Sequence, residues 1–487
     1  MKTLLLPLLL LAPAISLQAS SERPVCEFAK QHLAKQLQLR IDCQDDYLIF
    51  CQDNAANKRS GCTKAISKKK TTPAKIAGFN VYNLGMEQDM TGNRLTIFKN
   101  HQLLAEVIKQ FDVVGAIEMK HFAKEDMVYN KALVNSGNTE LPLRIPPYLE
   151  VLKNLQTSDP SWTLILSPDL FSSLPEDTLN NELAGYYFKR SEVDLVPTEY
   201  CKSFACAVPK KEFKAEVART PFLASFKSGK LDFTFASVHF RYRYPTIKGV
   251  LNKEMVDDML KIYDFEKHTG IQFDLKVKAQ QEEKLETSTR FSEVKSISDF
   301  LGRLVAKSKR KDVLLFGDFN LMAPAKDSPL PPKAKAAAMV TAFKQAWYDS
   351  KGVLENFKDA QPFINMPSTV GKDELISEFD HFVFAKKATL AGCDTDNASV
   401  FNFTDRDIFP EGDEIIQTLK LDDFMDTISN EKKFDKQKIV QRYSDGKLNF
   451  LKIGYQNNVL DSYKNSTLSV YKELISDHLP ISMNCNR

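Results

Sequence analysis

The sequence predicts an α/β protein whose sheets are covered by helices. Two observations carry that expectation. Short apolar runs of strand length alternate along the chain with longer segments of helical periodicity. A polar residue stands at or just past the end of nearly every apolar run. Strands interleaved with helices indicate covered sheets. Polar groups at strand ends converge on one rim of a sheet, where α/β proteins place their sites.

The chain opens with Met1-Lys2-Thr3 and a leucine-rich run to Leu11, which Ala12-Pro13-Ala14 breaks before small residues return at Ala19-Ser20-Ser21. One early charge, a short apolar stretch and a small-residue exit predict a signal peptide over residues 1–19. The run is too short for a bilayer, which needs about 20 apolar residues. No later stretch is long and apolar enough to span one. The expectation is a secreted or periplasmic protein, present as a monomer.

Residues 20–73 form a cysteine-bearing segment that ends in the basic linker Ser67-Lys68-Lys69-Lys70-Thr71-Thr72-Pro73. Such a lysine run is first of all a solvated surface, with a grip on DNA as the rival reading. The eight cysteines are Cys26, Cys43, Cys51, Cys62, Cys201, Cys206, Cys393 and Cys485. An even number in an exported chain points to disulfides. The first four lack the C-x-x-C knuckle of a zinc site. Cys201 and Cys206 form a close pair, and Cys393 and Cys485 are then left to each other.

The patterned region begins at Lys75. Strands are predicted over 76–82, 112–118, 162–166, 231–240, 312–316, 381–384 and 479–483, with helices over 95–110 and 294–307. Residues 246–290, 322–336 and 395–460 read as insertions, charged, Pro/Ala/Lys-rich and polar in turn, and none is an aromatic-rich apolar loop. Surface loops tolerate such insertions cheaply. The net charge of +3 permits a polyanionic substrate without announcing one.

The strand-end polar residues are Asn80, Glu118, His239, Asp318 with Asn320, Asp380, and Asp477 with His478. Each alone has an ordinary explanation: an Asp at a strand end is usually a turn or cap residue. Together, two amides, several carboxylates and two imidazoles would be a costly way to build a core. In extended backbone, Asp318 and Asn320 share a face, whereas Asp477 and His478 diverge.

Lys75-Ile76-Ala77-Gly78-Phe79-Asn80-Val81, the strand ending in Glu118, Ser237-Val238-His239, Gly317-Asp318-Phe319-Asn320, Glu378-Phe379-Asp380-His381 and Ser476-Asp477-His478-Leu479-Pro480 occur in this order. The set resembles the endonuclease/exonuclease/phosphatase superfamily, and within it the pancreatic deoxyribonuclease-like family, over residues 74–487. The resemblance implies a four-layer α/β sandwich of two packed sheets flanked by helices. It implies Glu118 and Asp477 as divalent-metal ligands, with Asn80 assisting. Asp318 and Asn320 would orient the phosphate and the attacking water. His478 with Asp380 would be the base, and His239 with a glutamate partner, Glu182, the acid. Arg219 and Lys120 would meet the substrate backbone and groove, and Cys201–Cys206 falls where the family has a short disulfide loop. The family's groove-stacking tyrosine has no counterpart, since Tyr186 and Tyr187 come too late in the chain.

The activity implied is Mg²⁺-dependent hydrolysis of DNA by in-line attack of water, with Mn²⁺ or Ca²⁺ as further candidate cations. A second reading is a same-fold phosphoesterase acting on a phospholipid, as a sphingomyelinase does, or on an inositol phosphate. A third is an inactive binding module, whose mark would be loss of Glu118, Asp318, Asn320, Asp477 or His478; all are present.

Overall fold

The apolar runs fold as strands, and where two of them lie parallel a helix stands in the connection between them. A computed structural model describes residues 30, 33–44, 46–54, 61–63, 73–84, 99, 101–120, 130, 132–133, 135–136, 143, 145–167, 182–247, 250–307, 313–320, 367–371, 375–377, 379–384, 393–394, 397–402, 471–472 and 475–486. The expected signal peptide, nearly all of the basic linker, the 322–336 insertion and most of 395–460 lie outside the described residues.

The strands are β1 (Leu39–Gln44), β2 (Tyr47–Gln52), β3 (Ala74–Leu84), β4 (Val113–Lys120), β5 (Trp162–Leu166), β6 (Glu182–Lys189), β7 (Asp194–Val196), β8 (Ala205–Ala207), β9 (Phe222–Ser228), β10 (Leu231–His239), β11 (Thr246–Ile247), β12 (Val250–Leu251), β13 (Val313–Asp318), β14 (Thr369–Val370), β15 (Leu375–Ser377), β16 (Asp380–Phe384), β17 (Ser399–Val400) and β18 (Ile481–Cys485). The helices are α1 (Ala34–Leu37), α2 (His101–Ile108), α3 (Pro147–Ser158), α4 (Lys253–Ile262), α5 (Phe265–Thr269) and α6 (Lys278–Lys307).

Eight strands form one sheet in the order β1-β2-β5-β6-β4-β3-β18-β17, and a second sheet runs β16-β13-β10-β9-β7 with β8 on β9. Both are mixed, because each holds one parallel pair: β3 with β4 and β10 with β13. Parallel neighbours need a long crossover, usually helical. Helix α2 lies in the first crossover and α4 to α6 in the second. Both pairs therefore end on the rim of their sheet where Asn80, Glu118, His239 and Asp318 sit.

Three cores separate four layers. Leu104, Ile108, Tyr148 and Leu152 of α2 and α3 pack on one face of the large sheet with Phe79 and Val114. Tyr186, Phe188, Ile76 and Val113 of that sheet meet Phe226, Phe235 and Phe316 of the other between the two sheets. Phe291, Ile297 and Leu301 of α6 cover the outer face of the second sheet with Leu223 and Leu315. The layers are helices, sheet, sheet, helices.

Close approach between the sheets explains one glycine of the first motif. A Cβ on Gly78 would lie 2.0 Å from Cδ2 of Phe316, so only glycine lets that ring fill the space between the sheets. Tyr186 spans the same gap, its hydroxyl donating to the carbonyls of Phe222 (2.6 Å) and Phe235 (2.9 Å). Tyr187 faces the helices and donates to the carbonyl of Tyr148 at 2.9 Å. Both tyrosines are buried structural residues.

Strands β6 and β9 and helix α3 lie where no element was expected, and two larger parts of the chain differ as well. The cysteine-bearing segment adds β1 and β2 to the edge of the large sheet, where β2 pairs with β5, and Cys51–Cys62 closes it. Cys43 is disulfide-bonded as well. The 246–290 insertion is mostly helical, and α6 begins well before residue 294. The buried face of α6 is rich in Thr287, Ser288, Thr289, Ser292, Ser296 and Ser298, so apolar periodicity could not reveal it. Some of their hydroxyls bond within the helix, as Thr289 does to the Leu285 carbonyl (2.7 Å) and Ser292 to that of Ser288 (2.9 Å), and Ser292 also reaches the Met259 carbonyl (2.6 Å). Cys201–Cys206 and Cys393–Cys485 are both formed. Among the described residues no helix is long and apolar enough to cross a membrane.

Candidate active site

The ends of the two parallel pairs are bent to aim side chains inward. Register shifts interrupt β3 between Asn80 and Leu84 and β4 between Ala116 and Met119. Tyr82, Asn83 and Glu118 take positive φ values of 43°, 55° and 61° there. Non-glycine residues hold such angles at a cost of about 1–3 kcal/mol each, and such strain gathers at functional sites. At Glu118 the effect is to break the strand's alternation, so that its carboxylate joins Asn80 and Asp318.

Asn80 bridges the acids. Its amide nitrogen donates to Glu118 Oε1 at 2.8 Å and to Asp318 Oδ2 at 3.0 Å, while its oxygen accepts from the Tyr82 backbone at 2.9 Å. Asn80 thus presents donors to the site and holds two carboxylates together.

Two histidines converge on Asp318 Oδ2, each backed by its own carboxylate. His239 Nδ1 lies 2.8 Å from Glu182 Oε2, which leaves Nε2 3.5 Å from Glu118 Oε1 and 3.9 Å from Asp318 Oδ2. His478 Nδ1 lies 2.5 Å from Asp380 Oδ2, which leaves Nε2 3.6 Å from Asp318 Oδ2 and 3.7 Å from Asp477 Oδ1. A carboxylate on Nδ1 fixes the tautomer and turns Nε2 toward the cleft.

These groups are buried, and their neighbours set their protonation. Burial raises Asp318 to about 6, with Asp380 and Glu118 adding to the rise and the two imidazoles opposing it. Burial and Arg219 pull His239 down, but Glu182 and Glu118 outweigh them and hold it above the ordinary histidine value. Burial lowers His478 too, and Asp380, Asp477 and Asp318 together hold it well above that value. Burial pushes Glu182 up, but Arg219, His239 and Lys120 hold it well below the usual carboxylate range.

Glu182 is also where the two expected substrate cations go. Arg219 Nη2 donates to Glu182 Oε1 at 2.7 Å, with Nε 2.7 Å from Oε2, and Lys120 Nζ lies 3.3 Å from Oε1. Lys120 is 6% exposed, so it points into the protein and not out toward a groove. The Arg219 side chain keeps 14% exposure.

Asp318 and Asn320 do not share a face as extended residues would. Asn320 has φ 48°, because Asp318 Oδ1 accepts its backbone N–H at 2.8 Å and curls the chain. The Asn320 amide then donates to the carbonyl of Phe240 at 2.9 Å. Asp477 and His478 do not diverge either. They lie in an irregular turn before β18, where strand alternation does not apply.

Two hydroxyls complete the site without a sequence signal. Ser368 donates to Asp380 Oδ2 at 2.6 Å, the oxygen that also meets His478. Ser476, inside the last motif, donates to the carbonyl of Asn80 at 2.7 Å and accepts the His478 N–H at 3.1 Å. Ser368 immediately precedes the two-residue strand β14.

The donor set suits a hard cation. Glu118, His239 and Asp318 bring one ligand atom each within 4.8 Å of one another, and Asp318, Asp380 and His478 form a second such group among the described residues. Asp477 belongs to neither group. Its Oδ1, like Asp380 Oδ1, is buried without a hydrogen-bond partner. Buried carboxylate oxygens lacking partners, in a cluster of like charge, are what a divalent oxygen-seeking ion satisfies.

No protein-family model and no curated protein matches the sequence. Several solved structures do. The catalytic domain of human Nocturnin is 10% identical, covers 67% of this chain and 86% of its own, and has a TM-score of 0.32. An endonuclease/exonuclease/phosphatase family protein from Leptotrichia buccalis is 12% identical, covers 85% and 100%, and has a TM-score of 0.34. Mannosyl-6-phosphatase Bt3783 from Bacteroides thetaiotaomicron is 15% identical, covers 64% and 85%, and has a TM-score of 0.29. At these identities and TM-scores the functional reading has to come from the residues themselves. The solved structures to which the chain is similar include endonuclease/exonuclease/phosphatase family proteins.

Proposed function

We propose that this chain is an exported, divalent-metal-dependent phosphodiesterase and that its substrate is DNA. One observation carries the reading: two histidine–carboxylate pairs bring their Nε2 atoms to the same oxygen of one central carboxylate, Asp318 Oδ2, at 3.9 and 3.6 Å. Two acid–base groups at one point are what in-line displacement at phosphorus needs, since one proton leaves the attacking water as another reaches the leaving oxygen.

In this mechanism His478, held by Asp380, takes the proton of the attacking water at Nε2. His239, held by Glu182, gives its Nε2 proton to the leaving alkoxide. The water oxygen–phosphorus bond forms as the bond to the leaving oxygen breaks, giving a phosphomonoester and an alcohol. Asp318 orients the water. Asn80 holds Glu118 and Asp318 in place. Glu118, Asp318 and Asp477 would hold the cation, Mg²⁺ first, whose chemistry when bound is to neutralise charge on the phosphate. His239 above the ordinary histidine value suits an acid. His478 is held well above that value, by Asp380 first, so it takes the water's proton in its neutral form, which rising pH favours.

A second reading has one observation in its favour. The 246–290 segment, expected to carry no aromatic-rich apolar loop, pairs β11 with β12, and there Val250 and Leu251 are 69% and 38% exposed. Exposed aliphatic side chains suit a lipid phosphodiester. The test is a substrate panel: plasmid DNA, sphingomyelin vesicles and an inositol phosphate, each with Mg²⁺ and with EDTA. The proposal expects Mg²⁺-dependent turnover of DNA above the other two. Turnover confined to the vesicles would replace it with the lipid reading.

A further inference from the structure

The loop that leaves His239 is clamped in a way its position does not require. Every backbone polar group from the Phe240 nitrogen to the Tyr242 carbonyl, save the Tyr242 N–H, is bonded to another part of the protein. The Phe240 N–H donates to the Asp318 carbonyl at 3.0 Å, and the Phe240 carbonyl accepts from Asn320. The Arg241 N–H donates to Glu293 Oε2 at 2.9 Å. The carbonyls of Arg241 and Tyr242 accept from Arg290 Nε and Nη2 at 3.0 and 2.8 Å. Glu293 and Arg290 both belong to α6 and are buried, at 0% and 1% exposure. Burying two charged side chains to fix one rim loop is expensive. A loop that only turned the chain would leave its carbonyls to water.

The clamp presents Tyr242, a residue 47% exposed, three residues past His239. The guanidinium of Arg243 stands 5.9 Å from the ring centroid. A rigid exposed aromatic with a cation beside it, on the rim of a site that handles phosphodiesters, has the parts of a single-strand binding platform: a face for a base and a charge for its phosphate. Duplex bases are covered by their neighbours above and below, so such a ring discriminates in favour of unpaired strands. Val250 and Leu251 do not extend the ring into one apolar surface. They are consecutive on a strand and so face opposite ways.

We propose that Tyr242 is a specificity-determining residue that stacks on a base flanking the scissile phosphate of single-stranded nucleic acid. The inference rests on the nuclease reading above and narrows its substrate class.

The full chain and its Tyr242→Ala and Tyr242→Trp variants would be compared on a short single-stranded oligonucleotide and on its duplex, with Mg²⁺. Binding to the single strand would be followed by fluorescence anisotropy in EDTA. Tyr242→Ala should raise KM and Kd for the single strand by roughly fivefold to 150-fold, the scale of one base–aromatic stack. The rise should fall on KM and not on kcat, leave the duplex nearly unaffected, and be reversed in Tyr242→Trp. An active wild type with unchanged KM and Kd in Tyr242→Ala would overturn the inference and leave the nuclease reading standing. Equal losses on both strands would overturn it too, as would lost binding to anionic lipid vesicles with oligonucleotide binding intact. A wild type that cleaves neither nucleic acid removes the nuclease reading, and the inference with it.

Discussion

Replacing Glu182 by glutamine keeps the shape of the side chain and removes its charge. Glu182 faces Arg219 at 2.7 Å on both oxygens, Lys120 at 3.3 Å and His239 Nδ1 at 2.8 Å, and its side chain is 6% exposed. A glutamine has one acceptor oxygen for these donors and turns two of its own N–H groups toward them. Breaking a buried pair on one side costs about 3–5 kcal/mol, because the other charge stays buried alone. Against a typical stability of about 5–15 kcal/mol, the variant should fold and be weaker. It should also lose roughly 10²- to 10⁴-fold in turnover, since His239 is no longer held in one tautomer. The assays are urea unfolding, read at the midpoint with the slope unchanged, and initial rates on DNA. The sign of the pH dependence follows from a depressed carboxylate. The stability that Glu182 adds is fully present above the ordinary glutamate value of about 4.3 and is lost as pH falls through its lower folded value. The gap between wild type and variant should therefore be flat near neutrality and close in acid. A variant within about 1 kcal/mol of wild type, with turnover reduced less than about threefold, would refute the assignment of Glu182 as the hub of this half of the site.

Other perturbations separate the remaining parts. His239→Ala and His478→Ala should each lower turnover by roughly 10²- to 10⁴-fold, and losses below about threefold in both would end the acid–base scheme. Mg²⁺ at 100 times its Kd should stabilise the protein by about 2.7 kcal/mol in thermal unfolding. Glu118→Gln and Asp318→Asn should shrink that gain; a gain unchanged in both would move the cation elsewhere. Gly78→Ala should destabilise by about 1–3 kcal/mol through overpacking against Phe316. A neutral result by denaturant unfolding would mean that the sheets can part there.

Most of the fold was legible because its strands are buried on both faces and read as continuous apolar runs, as in Val113–Ile117 and Val313–Phe316. Helix α6 was half legible: its later turns carry Val294, Ile297, Leu301 and Val305, whereas its earlier buried face is largely serine and threonine. For β1 and β2, sheet membership depends on pairing with β5 across more than 100 residues, which no local pattern encodes. Asn80, Glu118, His239, Asp318, Asp380, Asp477 and His478 were legible as strand-end polar groups and Glu182 only through the resemblance, and the structure brings all eight together. Their orientations were not legible. Strand alternation failed at Asn320 and Asp477, where the backbone is no longer extended, and charge alone could not show that Lys120 and Arg219 turn inward to Glu182. Ser368, Arg290 and Glu293 act through hydrogen bonds from parts of the chain with no motif, and only coordinates reveal them.

The most direct test of metal-dependent phosphodiester hydrolysis at this site is the nicking of supercoiled plasmid DNA by the full chain with Mg²⁺, with EDTA, and with Mg²⁺ in the Asp318→Asn variant. The account predicts nicked and linear product in the first sample only. Intact plasmid in all three, or equal nicking in all three, would contradict it.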